Sequence, residues 1–221
     1  MPGTFITFEG IDGSGKSTQL RLLGNFLKAN GCEPILTREP GGTALGKRLR
    51  AALLDATEVV DPLTELLVFA ADRAQHVRQL VRPALETGRL VISDRYADAT
   101  VAYQGAGRGF SPELISQIVQ LATEGLKPDL TLLFDLSIKE STSRTARRST
   151  GKTSTRVSRD RLDIENADFH ARVRDAYLQI ALAEPDRVKL IDTSGPVEQT
   201  QERLREIIIP FLERRGMHVP Q

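Results

Sequence analysis

A chain of 221 residues, 40% hydrophobic and 27% charged, can bury a core without disulfide or metal staples. Its formal charge of +1 supplies no global field to recruit nucleic acid, and its one cysteine, Cys32, cannot pair within the chain, which fits a reducing, cytoplasmic compartment. Residues 1–8 are too short for a signal peptide, Glu9 interrupts them, and no apolar run approaches the ~20 residues of a membrane span, so neither nucleic acid nor membrane is an expected partner.

In chain order, the residues predict alternating strands and helices. A near-continuous apolar strand over Thr4–Glu9 leads into a helix over Lys16–Ala29. A strand over Pro34–Arg38 precedes a helix over Ala44–Asp55. Asp61-Pro62 reads as a cap followed by Pro in the first helical turn, opening a long helix to Thr87 that Gly88 stops. The strand Leu90–Asp94 follows, then a helix over Pro112–Glu124 behind a Ser111 cap. The strand Leu130–Leu136, the helix Ala167–Ala183, the strand Val188–Asp192 and the helix Pro196–Arg215 complete the pattern. The strands are apolar throughout rather than alternating, which predicts one parallel α/β sheet covered by helices on both faces, with residues 1–221 as one domain.

Three stretches carry chemistry beyond the alternation. Gly10-Ile11-Asp12-Gly13-Ser14-Gly15-Lys16-Ser17 matches the phosphate-loop pattern, with a strand running in and a helix running out. Its glycines let successive N–H groups turn inward around an anion, the helix start adds positive potential, Lys16 supplies a point charge, and Ser17 a hydroxyl for Mg²⁺. Gly10, Asp12, Gly13, Ser14, Gly15, Lys16, Ser17 and Thr18 are therefore the expected ATP contacts. Leu90-Val91-Ile92-Ser93-Asp94 ends in a carboxylate beside that loop, so Asp94 joins Ser17 as an expected Mg²⁺ ligand, and Arg95 follows it toward the same phosphates. The third stretch, residues 137–161, carries eight basic residues against Glu140 and Asp160 and is rich in Ser, Thr and Gly. Taken alone it reads as a solvated basic loop.

A phosphate loop does not name a reaction, and a small-molecule kinase, a GTPase switch and a transport-type ATPase all remain open at this point. An Asn-Lys-x-Asp guanine reader is missing, which weighs against the GTPase, and 221 residues leave little chain for motor coupling. A kinase needs a second anion site and a cover against water. Arg38, Arg73, Arg95 and the basic stretch supply the residue types for both.

Further motifs sharpen this. Phe8-Glu9-Gly10-Ile11-Asp12-Gly13, Arg38-Glu39-Pro40-Gly41-Gly42-Thr43, Ala71-Asp72-Arg73, Asp94-Arg95-Tyr96 with Ala102-Tyr103-Gln104-Gly105, and Asp160-Arg161-Leu162-Asp163 ahead of Phe169 and Tyr177 resemble thymidylate kinases in order and spacing over nearly the whole chain. The resemblance implies the P-loop nucleoside monophosphate kinase fold, five parallel strands with a basic lid at about 137–165, a homodimer, and transfer of the ATP γ-phosphoryl to dTMP. By the same resemblance Arg38 and Arg95 hold the acceptor phosphate and Phe69 stacks on the thymine. Arg73, Thr100 and Gln104 meet the base edge, Tyr103 packs under the sugar, and Asp12 takes the 3′-hydroxyl. Thr100 stands where Ser or Asn is usual, Asp163 where Glu is usual, and residues 149–158 exceed the usual lid length. One branch of the family carries its catalytic arginine in the phosphate loop and another in the lid. Position 14 is Ser and no Arg lies between Gly10 and Ser17, so the resemblance implies the lid type, with Arg144, Arg148 and Arg161 joining Lys16 and Arg95 as catalytic residues. His76, His170 and His218 show no metal spacing and read as packing or surface residues.

Overall fold

The computed structural model describes residues 3–56, 58–150, 162, 165–217 and 219, and the side chains of all of these except 148–150. Strands β1 (Thr4–Glu9), β2 (Ile35–Arg38), β3 (Leu90–Asp94), β4 (Leu130–Asp135) and β5 (Val188–Asp192) form one parallel sheet in the order β2-β3-β1-β4-β5. The three central strands, β1, β3 and β4, are buried almost throughout, whereas the edge strands β2 and β5 mix buried and exposed positions. Their near-continuous apolar sequences follow from this two-sided burial. The sheet edge begins at Ile35 rather than Pro34, whose ring nitrogen has no hydrogen to give the ladder.

Side-chain alternation along β1 sorts the core into two layers. Ile6 and Phe8 pack with Leu20, Leu23 and Leu27 of α1 (Lys16–Ala29) and with Leu204, Ile208 and Leu212 of α9 (Val197–Arg214). On the opposite face Phe5 packs with Val77, Val81, Val91 and Tyr96, and Leu133 with Phe169, Val173 and Tyr177 of α8 (Ala167–Ala183). The register sets Phe8 and Arg38 beside Asp94 and Glu9 beside Leu133. The carboxyl ends of β1, β2 and β3 therefore share one rim; the connection from β1 runs to β2 on one side, the connection from β3 crosses β1 to β4 on the other, and α/β proteins build their sites at such a reversal.

The helices that frame this rim start where their caps dictate. Asp61 accepts from the amides of Leu63 and Thr64 at the start of α3 (Pro62–His76), and Ser111 accepts from Leu114 at the start of α6 (Pro112–Thr123). The α3 rod continues through a π-helical segment, Val77–Val81, into α4 (Arg82–Glu86). The wide turn lies just ahead of Pro83, which lacks an amide donor and crowds the preceding turn. A helix over Ala44–Leu54, α2, lies against α3. The sequence predicted no helix between Asp94 and Ser111, yet α5 (Ala97–Thr100) runs into a second π-helical segment, Val101–Gly107. Helix α7 spans Ile138–Thr150 inside the basic stretch.

Candidate functional site

The phosphate loop turns out of β1 at Gly10, whose φ of 133° and distance of 2.3 Å from a built Cβ to the Phe134 carbonyl exclude any larger residue. Lys16 opens α1 folded back on the loop, its Nζ donating to the carbonyls of Gly10 at 2.8 Å and Ile11 at 2.9 Å. Burial, reinforced by the Arg95 guanidinium, lowers the Lys16 ammonium to about 8 against the opposing pull of Asp12, Asp94 and Glu9. Ser17 donates to Asp94 Oδ2 at 2.7 Å, so the loop hydroxyl and the strand-end carboxylate meet as the sequence predicts.

Arg95 sits one residue past β3 with φ of 74°. Its guanidinium reaches Asp12 in the phosphate loop. It donates to Asp12 Oδ1 at 2.6 Å, to the Tyr103 hydroxyl at 3.0 Å and to the Tyr177 hydroxyl at 3.3 Å, and lies 4.7 Å from the centre of the Tyr103 ring. Tyr103 in turn donates to Asp12 Oδ2 at 2.9 Å. Burial opposes the charge on Asp12, but Arg95 and Lys16 outweigh it and hold the carboxyl well below the usual carboxylate range. Behind this pair lies Glu9, fully buried, accepting from Tyr96 N and from the Tyr177 hydroxyl, each at 2.7 Å. Burial and the charge of Asp98 raise it from 4.5 to about 8 despite Arg95.

The far end is built by α3 and the second π-helical segment. Phe69 and Arg73, one turn apart, both face the cavity. Arg73 is 2% exposed and uses three of its five N–H donors on protein partners: Nε donates to Glu39 Oε2 at 2.8 Å, one terminal nitrogen to Thr100 Oγ1 at 2.7 Å and the other to the Tyr96 carbonyl at 2.8 Å. Glu39 also bonds His76 Nδ1 at 2.7 Å, and His76 Nε2 meets the Thr37 hydroxyl at 2.8 Å. Gln104 donates to the buried carboxylate of Glu65 at 2.8 Å.

These groups enclose one cavity of about 460 Å³, lined by Asp12, Gly13, Gly15, Lys16, Ser17, Thr18, Arg38, Phe69, Arg73, Asp94, Arg95, Thr100, Tyr103 and Gln104 among others. The volume is in the range of small-ligand sites. Arg38 contributes an exposed guanidinium to its wall. Two expected loop contacts stand behind the lining: Gly10 gives its carbonyl to Lys16, and Ser14, 1% exposed, lies 3.4 Å from Lys16 Nζ through its hydroxyl. Arg144 is not in the lining either; it donates to the Thr193 carbonyl at 2.8 Å. The Arg148 side chain, Arg161, His218 and the longer stretch 149–158 with Asp160 and Asp163 lie outside the described side chains. Helix α7 meets the phosphate loop directly, with Ser141 Oγ donating to the Asp12 carbonyl at 2.6 Å.

Sequence reasoning missed Glu9, Glu39, Glu65 and His76 as supports. Glu9 and Glu39 lie inside the motifs above, and the available signals were a carboxylate ending the apolar strand before the phosphate loop, Glu9, and one following the strand-end Arg38, Glu39. Glu65 and His76 are set by helix spacing from Phe69 and Asp72, which only pairs them with a partner once the helix is docked.

Three comparisons bear on this geometry. The model of the family described as Thymidylate kinase matches residues 8–204. A thymidylate kinase of Desulfovibrio desulfuricans is 48% identical over 213 residues, covering 96% of this chain and 98% of that protein. A thymidylate kinase of Leifsonia xyli is 49% identical over 204 residues, covering 92% and 93%. Among solved structures, a crystal structure of thymidylate kinase from Ehrlichia chaffeensis superposes with a TM-score of 0.73 at 34% identity, over 94% of this chain and 99% of that one.

Proposed function

This chain belongs to the thymidylate kinase family and is an ATP-dependent nucleoside monophosphate kinase that converts dTMP to dTDP; we propose the following division of labour within its cavity. Gly13, Gly15, Lys16 and Thr18 hold the ATP phosphates. Arg38 and Arg95 hold the 5′-phosphate of dTMP, Tyr103 lies under its sugar, and Asp12 takes the 3′-hydroxyl. Phe69 stacks on the thymine, and Arg73, Thr100 and Gln104 meet its edge. One observation carries this reading: the phosphate loop, Arg95 and the Phe69–Arg73 helix face line the same cavity.

The reaction needs position and charge more than proton chemistry. An oxygen of the dTMP phosphate attacks the γ-phosphorus, a P–O bond forms, and the bond to the oxygen leaving with ADP breaks. The acceptor is already anionic, so no strong base is required. Lys16 and the lid arginines Arg144, Arg148 and Arg161 neutralise charge as it spreads over the transferring group. For Arg144 this requires α7 to let go of Thr193. Ser17 and Asp94 fit Mg²⁺, since a hydroxyl and a carboxylate lie 2.7 Å apart at the cavity wall and Mg²⁺ takes few protein oxygens alongside phosphate and water. When bound, the ion would neutralise phosphate charge there.

We further infer a homodimer. Leu45 of α2, Leu63 and Leu67 of α3 and Leu121 of α6 are exposed apolar side chains on helices that pack α2 to α3 and α3 to α6, and a second copy docked there would cover them. No helix among the described residues is long and apolar enough to cross a membrane, and with a single cysteine the cytoplasm is the compartment we assign.

A coupled ADP-release assay over nucleoside monophosphates and unphosphorylated nucleosides tests the reading. dTMP should be the best acceptor, and Lys16→Ala should abolish turnover. Thymidine as the better acceptor, or near-normal ADP release by Lys16→Ala with dTMP, would overturn it.

A further inference from the structure

The base end of the cavity rests on a side chain that never reaches it. Glu65, in the first turn of α3, is 0% exposed. Its Oε1 accepts from Gln104 Nε2 at 2.8 Å and from Arg108 Nε at 3.1 Å, and its Oε2 from a terminal Arg108 nitrogen at 2.9 Å. Arg108 is fixed in turn by Glu165 at 2.7 Å and by the Phe169 ring, whose centre is 4.8 Å away. Both oxygens of this buried carboxyl are thus engaged as acceptors, two of the three bonds coming from the arginine fork.

That restriction decides which way Gln104 faces. A carboxamide is ambidextrous, with an NH₂ end and an oxygen end. Facing a carboxylate, it must turn the NH₂ toward it, which leaves the oxygen for the cavity that Gln104 lines. Next to it, Thr100 Oγ1 accepts from Arg73, so its own hydroxyl hydrogen is free to donate. The pocket therefore offers an acceptor at Gln104 beside donors at Thr100 and Arg73. Thymine and uracil present the complement, an N3–H donor beside the O4 acceptor. Cytosine presents the reverse, an N3 acceptor beside an amino donor.

We propose that Glu65 sets the preference for keto over amino pyrimidines, as a positioning residue that locks the Gln104 carboxamide with its oxygen toward the base. The inference rests on the reading of Gln104 as a base contact, and the test separates the two. The measurement is kcat/KM for dTMP, dUMP and dCMP, with KM for ATP and the urea midpoint, in the wild type, Glu65→Gln, Gln104→Leu and the double variant. With Glu65→Gln, Gln104 faces an amide and can present either end. The dTMP-to-dCMP ratio should then fall by about tenfold, the worth of one hydrogen bond, with KM for ATP unchanged. In the Gln104→Leu background, Glu65→Gln should change the ratio no further. If Gln104→Leu lowers the ratio and Glu65→Gln alone leaves it intact, the Glu65 inference fails and the base contact stands. If Gln104→Leu leaves the ratio intact, both fail. Should Glu65→Gln not fold, Glu65→Leu with Arg108→Leu, which removes carboxylate and cation together, carries the same expectation.

Discussion

Replacing Arg73 by methionine should cost stability as well as base recognition, and the two losses can be pulled apart. Arg73 and Glu39 are each 3% exposed in their side chains and meet at 2.8 Å, so neither charge has water to fall back on. Removing the cation leaves Glu39 with His76 as its remaining side-chain partner and strips a donor from both Thr100 and the Tyr96 carbonyl. Breaking a buried pair from one side costs about 3–5 kcal/mol, because the surviving charge stays desolvated. Methionine fills much of the vacated volume, so the cost is electrostatic rather than that of a cavity. The double variant Arg73→Met/Glu39→Gln removes both charges and should recover most of the loss, to within about 2 kcal/mol of wild type. Urea unfolding followed by circular dichroism reads both numbers, provided the denaturant slopes agree. Both variants should still show a raised KM for dTMP, since Arg73 is missing from each. A single variant within about 1 kcal/mol of wild type, or a double variant that loses the sum of its parts, would refute the buried pair as the source of the cost.

Three further outcomes follow from the same geometry. Glu9 holds a proton in the folded chain between 4.5 and about 8 that the unfolded chain has released, so its contribution to stability is complete below that window and is lost as pH rises through it. Between pH 5 and 8 the loss amounts to about 4 kcal/mol, and Glu9→Gln should flatten that slope in urea titrations; an unaltered slope would acquit Glu9. At Gly46 a built Cβ lies 2.3 Å from Asp72 Oδ1, which holds the Gly41 amide at 3.1 Å. Gly46→Ala should therefore destabilise by about 1–3 kcal/mol and raise KM for dTMP through the Arg38–Thr43 loop, whereas normal stability would mean that Asp72 yields freely. Ser111→Ala removes the α6 cap and should lower stability by about 1 kcal/mol with no change in either KM, a midpoint shift that thermal unfolding resolves.

What the residues disclosed, and what they withheld, divides along the range of the forces involved. Strands β1, β3 and β5 and helices α1 and α8 begin and end where the apolar runs and turn residues place them, because two-sided burial and capping act within a few residues. The helix after Asp94 was invisible for a local reason. Gly105 and Gly107 are poor helix formers, and Gly107 is required because a Cβ there would lie 2.6 Å from the Phe169 ring. Its cause is a contact with a residue 62 positions away along the chain. The Lys16, Ser17, Asp94 and Arg95 cluster was legible because a strand-end position fixes where a side chain can go. Glu65 was not, since nothing near it in sequence identifies Gln104 and Arg108 as its partners, 39 and 43 positions away.

Arg95 shows how such distant supports bear on catalysis. A free arginine carries a large rotamer entropy, and immobilising it on a ligand costs about 0.5–1.5 kcal/mol. Here Asp12 and Tyr103 hold one terminal nitrogen of the guanidinium and Tyr177 the other, and Glu9 holds both Tyr177 and the Tyr96 amide next to Arg95. The ordering is complete before any phosphate arrives. Asp12 does more than hold Arg95 in place. A lone buried guanidinium would be costly to keep charged, and the adjacent carboxylate keeps Arg95 charged well above its ordinary range. A phosphate approaching Arg95 therefore meets a cation whose desolvation and orientation have been settled by folding. Its binding energy is free for alignment with the γ-phosphoryl, the part of the reaction on which in-line transfer depends.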